Sequence, residues 1–397
     1  MATGLERKEL RSYEIRKRKH KKKVITIVII AILTMLAGAA FFIYHLLHKN
    51  YTGYQVLHTT ERIDSSTSKY LSYGTGILRY SRDGAMAMDG AGNLLWNGAY
   101  DMKDPIIDIC GKYVAVSDRG HETIQVYNGE GGVSTINVLN PILKVEVANQ
   151  GVVAVLMDGA GENYITLYSL EGKALVGIGT TVPEHGVPVD ISLSDDGKKL
   201  VTSYVSIKNG TMENKVTFYN FDEVGQNYNW RIVASFDYGQ SLVPNVEFID
   251  NDKVCVFADN KFDIYAMEEI PKLTSEVTLP SEISSVFYNE NNVGFSLINK
   301  DEDGDAPFRI LVYDLNGKVQ LDKNLNLEHA NIELYGDELI IHSGAEWKIW
   351  RLNGGVKLNY TFEGNVSYIF PANNLDRYVV IDDQNIREVT LIEKQKK

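Results

Sequence analysis

The chain has 397 residues, of which 44% are apolar and 23% charged, a composition typical of a globular protein with a sizeable core. Residues 1–23 hold ten Lys and Arg against three acids, so residues 24–397 contain 30 bases and 49 acids and carry a formal charge of −19. An acidic body of this kind repels nucleic-acid phosphates, which excludes nucleic acid as an expected partner.

An apolar run of 24 residues, Val24 to Leu47, follows the basic segment and contains no charged side chain apart from His45 when that residue is protonated. As a helix the run is about 36 Å long, enough to cross the hydrocarbon core of a bilayer. Because basic residues are retained on the cytoplasmic side, we expect a cytoplasmic N-terminus and a chain that lies outside the cell membrane after Leu47.

A removable signal peptide is the alternative, since LAGAA (Leu36 to Ala40) resembles a cleavage site with small residues. The apolar run continues beyond it through FFIYHLL, which favours an uncleaved single-pass anchor. The predicted organisation is a basic cytoplasmic tail (1–23), a transmembrane signal anchor (24–47), a short linker (48–53) and an extracytoplasmic domain (54–397).

A phrase of three strands recurs along the rest of the chain. An alternating strand such as PIIDIC is followed by an apolar strand such as YVAVSD, and then by a strand that ends near an aromatic residue, such as TIQVYN. The phrases begin near residues 70, 105, 141, 188, 244, 282, 329 and 365. Alternating strands, glycine turns and a repeat of 36 to 56 residues predict a β-propeller.

The predicted fold is all-β: a propeller of eight four-stranded blades, preceded by one transmembrane helix. Seven blades is the alternative if the first unit is irregular. The last unit begins near Asn365 and has only three strands before the chain stops. We therefore expect Tyr54 to Arg62 to supply its outer strand and to close the ring through backbone hydrogen bonds.

The stretch from Tyr51 to the C-terminus, with phrases such as GAMAMDGAGNLLW and VEVANQGVVAVLMDG, resembles a bacterial family of membrane-anchored proteins, the domain of unknown function 5711. The resemblance rests on the order of these phrases, and the preceding anchor is consistent with it. It implies a single-pass propeller protein of Gram-positive bacteria, and it carries no activity and no functional residues.

A second resemblance, to quinoprotein-like propeller repeats, rests on AMDGAGNLLW (Ala87 to Trp96). In such repeats the tryptophan docks between neighbouring blades as a structural wedge. The other units of this chain have no tryptophan at the same place, and there is no vicinal cysteine pair or acid set that would seat a quinone. We therefore expect a structural role for Trp96 and no cofactor.

Sequence motifs for chemistry are missing. The chain has no nucleophile elbow, zinc-protease motif, P-loop or C-x-x-C pair, and its eight histidines lack ligand spacing. No catalytic or cofactor-binding residue is predicted, and an enzyme is less favoured than a binding module. Cys110 and Cys255 are expected to be buried thiols, with a disulfide as the alternative.

The only metal candidate is weak. Asp301, Asp303 and Asp305 match the Asp-x-Asp-x-Asp start of a calcium loop. However, Ala306 stands where such a loop needs glycine, and Val312 stands where it needs a bidentate glutamate. A solvated hairpin loop is the favoured interpretation.

Two aromatic residues, Tyr228 and Trp230, lie in the segment VGQNYNWRIVASFDYGQSL, which we interpret as an insertion in its unit. An exposed aromatic there would anchor a peptide or glycan, and packing under a longer loop is the alternative.

The favoured functional hypothesis is a membrane-anchored scaffold in the bacterial cell envelope that presents one face of the ring to a protein partner. The alternatives are an extracytoplasmic enzyme, a glycan or small-ligand binder that uses the central funnel, and a receptor that signals through a separate membrane protein.

Overall fold

The structure is a computed structural model that describes residues 4–62, 67–159, 161–181, 185–299, 306–372 and 376–393. The chain divides into two units, Met1–Asn50 and Tyr51–Lys397. The first unit is one helix, α1 (Gly4–Leu47). Its segment Arg16–Phe42 is long and apolar enough to cross a membrane, although a signal sequence near an N-terminus has the same properties.

The second unit is a propeller of eight four-stranded antiparallel sheets formed by the described residues. Its first strand, β1 (Gly53–Glu61), belongs to the last blade. Blades 1 to 4 then follow in chain order. Blade 1 contains β2 (Lys69–Tyr73), β3 (Gly76–Tyr80), β4 (Gly84–Met88) and β5 (Leu94–Ala99); blade 2 contains β6 (Pro105–Cys110), β7 (Tyr113–Asp118), β8 (Thr123–Asn128) and β9 (Gly131–Asn137); blade 3 contains β10 (Ile142–Val147), β11 (Val153–Asp158), β12 (Glu162–Tyr168) and β13 (Ala174–Thr181); and blade 4 contains β14 (Val187–Leu193), β15 (Lys199–Lys208), β16 (Thr211–Asn220) and β17 (Ile232–Gly239).

Blades 5 to 8 complete the ring. Blade 5 contains β18 (Asn245–Asp250), β19 (Lys253–Phe257), β20 (Lys261–Ala266) and β21 (Lys272–Thr278); blade 6 contains β22 (Ile283–Tyr288), β23 (Asn292–Ile298), β24 (Phe308–Asp314) and β25 (Val319–Leu325); blade 7 contains β26 (Asn331–Tyr335), β27 (Glu338–Ser343), β28 (Glu346–Arg351) and β29 (Val356–Thr361); and blade 8 contains β30 (Val366–Pro371), β31 (Arg377–Asp382) and β32 (Asn385–Ile392) together with β1. Two short 3₁₀ helices, η1 (Val224–Asn227) and η2 (Asn229–Arg231), join β16 to β17.

The position of each strand within its blade accounts for its composition. The second strand of a blade is covered on both faces by neighbouring blades, and the apolar run of β7 is accordingly almost wholly buried. The outermost strand, such as β9, has mostly exposed side chains. This order explains why the phrase recognised in the sequence is strongest in its first three strands and most variable in the fourth.

Eight hydrophobic clusters hold the ring together, one at each junction between neighbouring blades. The junction of blade 8 with blade 1 shows the pattern, because Tyr70 and Ile77 from blade 1 pack against Phe370 and Ile381 from blade 8. The prediction of eight blades is therefore confirmed, and the alternative of seven is wrong.

The last blade is closed by the first strand. β1 pairs with β32 in antiparallel register from Gly53 opposite Ile392 to Glu61 opposite Asn385, with an irregularity between Val56 and His58. The prediction that the stretch after Tyr54 supplies the missing outer strand is confirmed. Chain closure thus joins the two ends of the propeller by a hydrogen-bonded ladder within one sheet.

The ring has two faces, which we name by the direction of the innermost strands. The start face is the side on which these strands begin, for example at Ile142 and Val187; the end face is the side on which they finish, for example at Val147 and Leu193. Because β1 is the outermost strand of blade 8, it begins on the end face at Gly53 and runs towards the start face.

We predict that the propeller depends on β1 for folding. A chain that starts at Tyr51 should keep a cooperative thermal transition, whereas a chain that starts at Arg62 should lose it, because blade 8 then lacks its outer strand. Circular dichroism melting of the two chains measures the difference. Equal transitions would show that blade 8 is stable with three strands.

Candidate binding surfaces and the central channel

Acidic side chains converge on the central channel from the innermost strands of neighbouring blades. Asp108 lies on β6, Glu146 on β10, Asp190 on β14 and Glu247 on β18. Asp108 and Glu247 come from blades 2 and 5 and still interact electrostatically, so the acids of these blades belong to one charged environment. The acids form one electrostatic cluster built from four blades.

Lys144 is the cationic centre of this cluster. Its Nζ lies 3.0 Å from Glu146 Oε1 and 2.5 Å from Asp190 Oδ1, and it donates to the carbonyl oxygen of Ile191 at 2.7 Å. Burial acts to lower the pKa of Lys144, but the carboxylates of Glu146 and Asp190 outweigh burial and raise this pKa above its ordinary value. Lys144 therefore remains charged and links blade 3 to blade 4.

Two of the channel acids accept backbone hydrogen bonds from the next blade. The amide of Val147 donates to Asp108 Oδ2 at 2.6 Å, and the amide of Val246 donates to Asp190 Oδ2 at 3.0 Å. Asn245 Nδ2 also donates to Asp190 Oδ2, at 2.9 Å. An innermost strand has a free edge whose N–H groups need acceptors, so these carboxylates complete the hydrogen bonding of the channel wall.

Glu247 is the channel acid whose raised pKa best suits it to hold or exchange a proton. Burial raises its pKa to about 8, while the charge of Lys144 acts in the opposite direction and the charge of Asp108 adds to the rise. Burial likewise raises the pKa values of Asp108 and Glu146. Glu247 can therefore hold a proton near neutral pH and either donate it in a hydrogen bond or exchange it.

Tyr288 of β22 lies beside Glu247 and forms part of the same wall. Burial raises its pKa, and the charge of Glu247 adds to the rise. The tyrosine still keeps 39% of its surface accessible to solvent. The cluster is thus partly hydrated.

The described residues contain no group of three or more His, Cys, Asp and Glu side chains that could hold a metal ion. The weak calcium candidates Asp301, Asp303 and Asp305 lie outside the described residues. That expectation is therefore untested.

The channel acids were missed by the sequence interpretation, although their signal was present. Each of the phrases PIIDIC, PILKVEV, PVDISLS and PNVEFID contains an acid in the interior of a strand that is otherwise largely apolar. An innermost-strand carboxylate that recurs in consecutive blades indicates a shared polar environment at the channel, because the faces of each blade are covered by its neighbours.

A cavity of about 540 Å³ opens beside this cluster on the start face. Residues of blades 1 to 4 line it, including Lys69, Arg119, Lys144, Glu146 and Val189. Its charged residues are largely paired with one another. Arg119 Nε, for example, lies 3.2 Å from Asp104 Oδ2.

Exposed apolar side chains surround this part of the start face. Leu139, in the loop between blades 2 and 3, is 92% exposed, and Ile207, near the tip of the β15–β16 hairpin, is 79% exposed. Large exposed apolar groups that cluster on one face mark an interaction surface. We name the following set the apolar patch: Leu139, Val187, Val189, Ile207, Met212 and Leu242.

The β15–β16 hairpin presents the most projecting part of the patch. Its strands have ten residues each, and Ile207 is paired directly with Met212. Asn209 and Gly210 form the turn with φ values of 52° and 79°, the left-handed conformations that a two-residue hairpin turn requires. The tip is therefore defined by its own turn chemistry.

Tyr228 and Trp230 lie elsewhere, on the end face of blade 4. The structure places both in the η1–η2 loop, where Tyr228 is 39% and Trp230 is 67% exposed. The predicted insertion was too long, because Ile232–Gly239 is β17, the regular outermost strand of this blade. Only the part of the segment before Ile232 is additional.

Trp96 has the structural role predicted for it. Its side chain is 4% exposed and stacks on Tyr127 of the next blade, with ring centroids 4.9 Å apart and planes inclined by 6°. Tyr73 meets the indole edge-on at 6.0 Å. The tryptophan is thus a wedge between blades 1 and 2.

The two cysteines are free thiols, so the disulfide alternative is wrong. Cys255 is fully buried, as predicted, but Cys110 is only half-buried and its thiol donates to Asp195 Oδ1 at 3.3 Å. Burial raises the pKa of the Cys110 thiol to about 12, and the charge of Asp195 adds to this effect. Neither thiol is activated as a nucleophile.

Comparison of the sequence with known families gives a match over residues 47–391 to a family of unknown function (DUF5711). The chain belongs to this family. Membership confirms the resemblance drawn from the order of the propeller phrases. No curated protein matches the chain significantly.

Solved structures that resemble this family member are propellers of several kinds. BamB from Moraxella catarrhalis, a quinoprotein-like propeller, aligns with a TM-score of 0.52 at 10% identity, over 85% of this chain and 100% of its own. A eukaryotic initiation factor aligns with a TM-score of 0.54 at 11% identity, over 86% and 87%. Sqt1 from Chaetomium thermophilum, bound to the N-terminus of ribosomal protein L10, aligns with a TM-score of 0.52 at 12% identity, over 86% and 100%. At these identities the likeness shows the fold alone.

We predict that Lys144→Met destabilises the propeller by about 3 kcal/mol, because it leaves Glu146 and Asp190 without a countercharge in the channel wall. Lys208→Met is the matched control, since the pair of Lys208 with Glu213 is exposed and its loss should change stability far less than that of Lys144. Urea unfolding of the two variants measures both losses. Equal small losses would mean that hydration of the channel replaces the ion pairs.

We also predict that Glu247 makes stability depend on pH. Its folded-state pKa of about 8 lies above the ordinary value of 4.5, so the native protein retains a proton that the unfolded chain has lost. The stabilisation is fully present below pH 4.5 and is lost as the pH rises to 8, by up to about 1.4 kcal/mol per pH unit.

The variant Glu247→Gln tests this dependence. It should be more stable than the natural protein at pH 9, with a flatter stability profile between pH 5 and 8. Glu130→Gln, at an exposed turn, is the control and should leave the profile unchanged. Parallel profiles for the natural protein and Glu247→Gln would contradict the assignment.

Proposed function

We propose that this protein is a membrane-anchored, extracytoplasmic binding module of the bacterial cell envelope, which captures a protein partner on the start face of its propeller. The observation that carries the proposal is the apolar patch, in which Leu139 and Ile207 leave most of their surface in water. Exposing such groups is unfavourable for an isolated domain, and burying them against a partner recovers the hydrophobic free energy.

The patch has the features of a protein interface rather than of a small-molecule site. Its residues come from the loop before blade 3, the hairpin and first strand of blade 4, and the loop before blade 5. They therefore come from three neighbouring blades, and Val189 also lines the cavity of about 540 Å³. A partner of complementary shape would bury the projecting Ile207 as an anchor and fill the cavity with a neighbouring side chain.

Ordered elements support the patch. The tip of the hairpin is fixed by the Asn209–Gly210 turn, and Lys208 is held by an ion pair with Glu213 at 2.8 Å. Rigid presentation limits the conformational entropy lost on binding. Sqt1 holds the N-terminus of another protein on the same fold, which supports a similar use here by analogy.

Membrane attachment is part of the proposal. The apolar segment Arg16–Phe42 supports an uncleaved anchor, with residues 1–23 in the cytoplasm, residues 24–47 in the bilayer and residues 48–53 as linker. The chain enters the propeller at Gly53 on the end face, away from the apolar patch.

A second candidate function is supported by the channel. Glu247 has a pKa of about 8 and lies among groups from several blades, an arrangement that suits recognition of a small polar ligand or acid–base chemistry. The hydrogen bonds that occupy Asp108 and Asp190 favour a structural role for those two acids, so this candidate rests mainly on Glu247.

The test of the proposed function is cross-linked co-purification of the full-length protein from its own membranes. The double variant Leu139→Asp/Ile207→Asp should reduce recovery of the partner at least tenfold, because two charged side chains would have to be buried in the interface. Leu95→Asp is the matched control, since Leu95 is 53% exposed on the outer strand of blade 1, and it should retain the partner.

Unchanged circular dichroism would show that each variant is folded. Recovery of the same partner with the double variant would exclude the apolar patch as the docking site. If the partner is still recovered with the double variant but is not recovered with Glu247→Gln, the channel becomes the favoured site.

A further inference from the structure

The end face of blades 4 and 5 carries a second exposed surface, formed by two adjacent loops. One is the η1–η2 loop with Tyr228 and Trp230, and the other is the loop between β20 and β21, which contains Glu268, Glu269 and Ile270. We name these two segments the end-face loops. They are on the opposite side of the ring from the apolar patch.

Asn220, the last residue of β16, holds the end-face loops together. Its Nδ2 donates to the carbonyl oxygen of Glu269 at 3.0 Å. Gly225 of η1 lies so close to the same residue that a Cβ there would stand 1.6 Å from the carbonyl oxygen of Asn220. Lys199 Nζ adds a bond to the carbonyl oxygen of Met267 at 3.0 Å. The two loops are therefore neighbours in a fixed arrangement.

The aromatic side chain is displayed at a conformational cost. Trp230 has φ 56° and ψ 18°, and Arg231 has φ 62°, so two successive non-glycine residues adopt the left-handed conformation. That conformation is unfavourable for both side chains. In return, the indole of Trp230 is 67% exposed, whereas Trp96, Trp347 and Trp350 are buried. Packing within the fold does not explain this arrangement, since the side chain is mostly in water.

The charges around Tyr228 and Trp230 determine which kind of binding partner the end-face loops favour. Glu268 and Glu269 are exposed, and no ion pair of their side chains is formed with another described residue. Asp222 is neutralised by Lys198 at 2.9 Å, and Arg231 is half-buried. Turns of the same face on blades 4 to 6 add Asp195, Asp196, Asp250 and Glu290, whereas Asp252 is paired with Lys199 at 2.6 Å. The surface is thus aromatic with an acidic surround.

We propose that the end-face loops bind a basic segment of a partner protein. An arginine or lysine of that segment would lie over the indole of Trp230 in a cation–π contact, and a second basic residue would pair with Glu268 and Glu269. An apolar side chain between them would pack on Ile270, which is 46% exposed. Anionic lipid is disfavoured as the occupant, because the acids of this face repel it.

This inference goes beyond the proposed function, since it concerns another face of the ring and another kind of partner chemistry. Because the two surfaces share no residue, substitutions in the apolar patch should leave it unaffected. The strain at Trp230 also gives the proposal a distinctive signature: relieving the strain should help the fold and harm the binding.

The experiment uses the full-length protein in detergent micelles and a fluorescein-labelled deca-arginine peptide as the probe. Anisotropy gives the affinity. In the natural protein, acrylamide quenching of tryptophan emission reports on Trp230, the one exposed tryptophan of four. We expect saturable binding that protects this emission from the quencher.

Two variants remove the two halves of the surface. Trp230→Gly and Glu268→Gln/Glu269→Gln should each weaken binding at least tenfold, while Trp230→Gly should keep or raise the thermal midpoint. The double variant Glu130→Gln/Glu171→Gln is the matched control, because it removes the same number of charges from exposed turns of the end face outside the acidic surround. It should change affinity less than twofold.

Equal losses in the control and in Glu268→Gln/Glu269→Gln would overturn the proposal, since the peptide would then be responding to net charge alone. Binding without protection of the Trp230 emission would overturn it as well. A lower thermal midpoint in Trp230→Gly, with unchanged affinity, would assign the tryptophan to the fold. None of these results depends on the apolar patch.

Discussion

Every blade of this propeller needs a neighbour on each of its two faces, and the rest of the structure depends on meeting that requirement all the way round the ring. Eight hydrophobic clusters meet it at the eight junctions. The junction between blades 8 and 1 cannot form by chain order alone, so the pairing of β1 with β32 draws the N-terminal strand into the last sheet. As a result, the strand that follows the N-terminal unit is also the strand that completes the core.

The same architecture explains the chemistry of the channel. Blade packing leaves only the edge of each innermost strand uncovered, and the free N–H groups on that edge need acceptors. Asp108 and Asp190 supply them to the following blade, and Lys144 balances the charge that they introduce. Carboxylates close together in a channel have raised pKa values whether or not they serve catalysis. The convergence of acids is therefore weaker evidence for an enzyme than their number suggests, and Glu247 stands out because its pKa is raised to about 8.

The sequence predicted those features that repeat along the chain. The number of blades, the closing strand after Tyr54 and the wedge role of Trp96 all follow from the period and from local patterns. The channel acids were not predicted from the sequence, because each innermost strand contributes a single acid to the channel and these acids come close together only when the ring closes. The apolar patch was not predicted from the sequence for a related reason. Leu139 and Ile207 are 68 positions apart, and nothing in their local sequence distinguishes an exposed leucine or isoleucine from a buried one. Exposure is a property of the assembled face, and local patterns do not encode it.

Blade 4 differs from the other blades on both faces, and this bears on the scaffold interpretation. Its hairpin extends the apolar patch on the start face, while the loop after β16 carries Trp230 on the end face. The two features are at opposite ends of the same strand, β16, which pairs with β15 along its whole length and with β17 only from Asn214 to Tyr219. Two ligands affect each other's affinity only if each favours a different arrangement of the protein, and the strand has a single arrangement in this structure. A module that holds two partners at once benefits from such independence, because neither partner then has to displace or reshape the site of the other. The geometry therefore fits a bridge between two partners better than a switch between them.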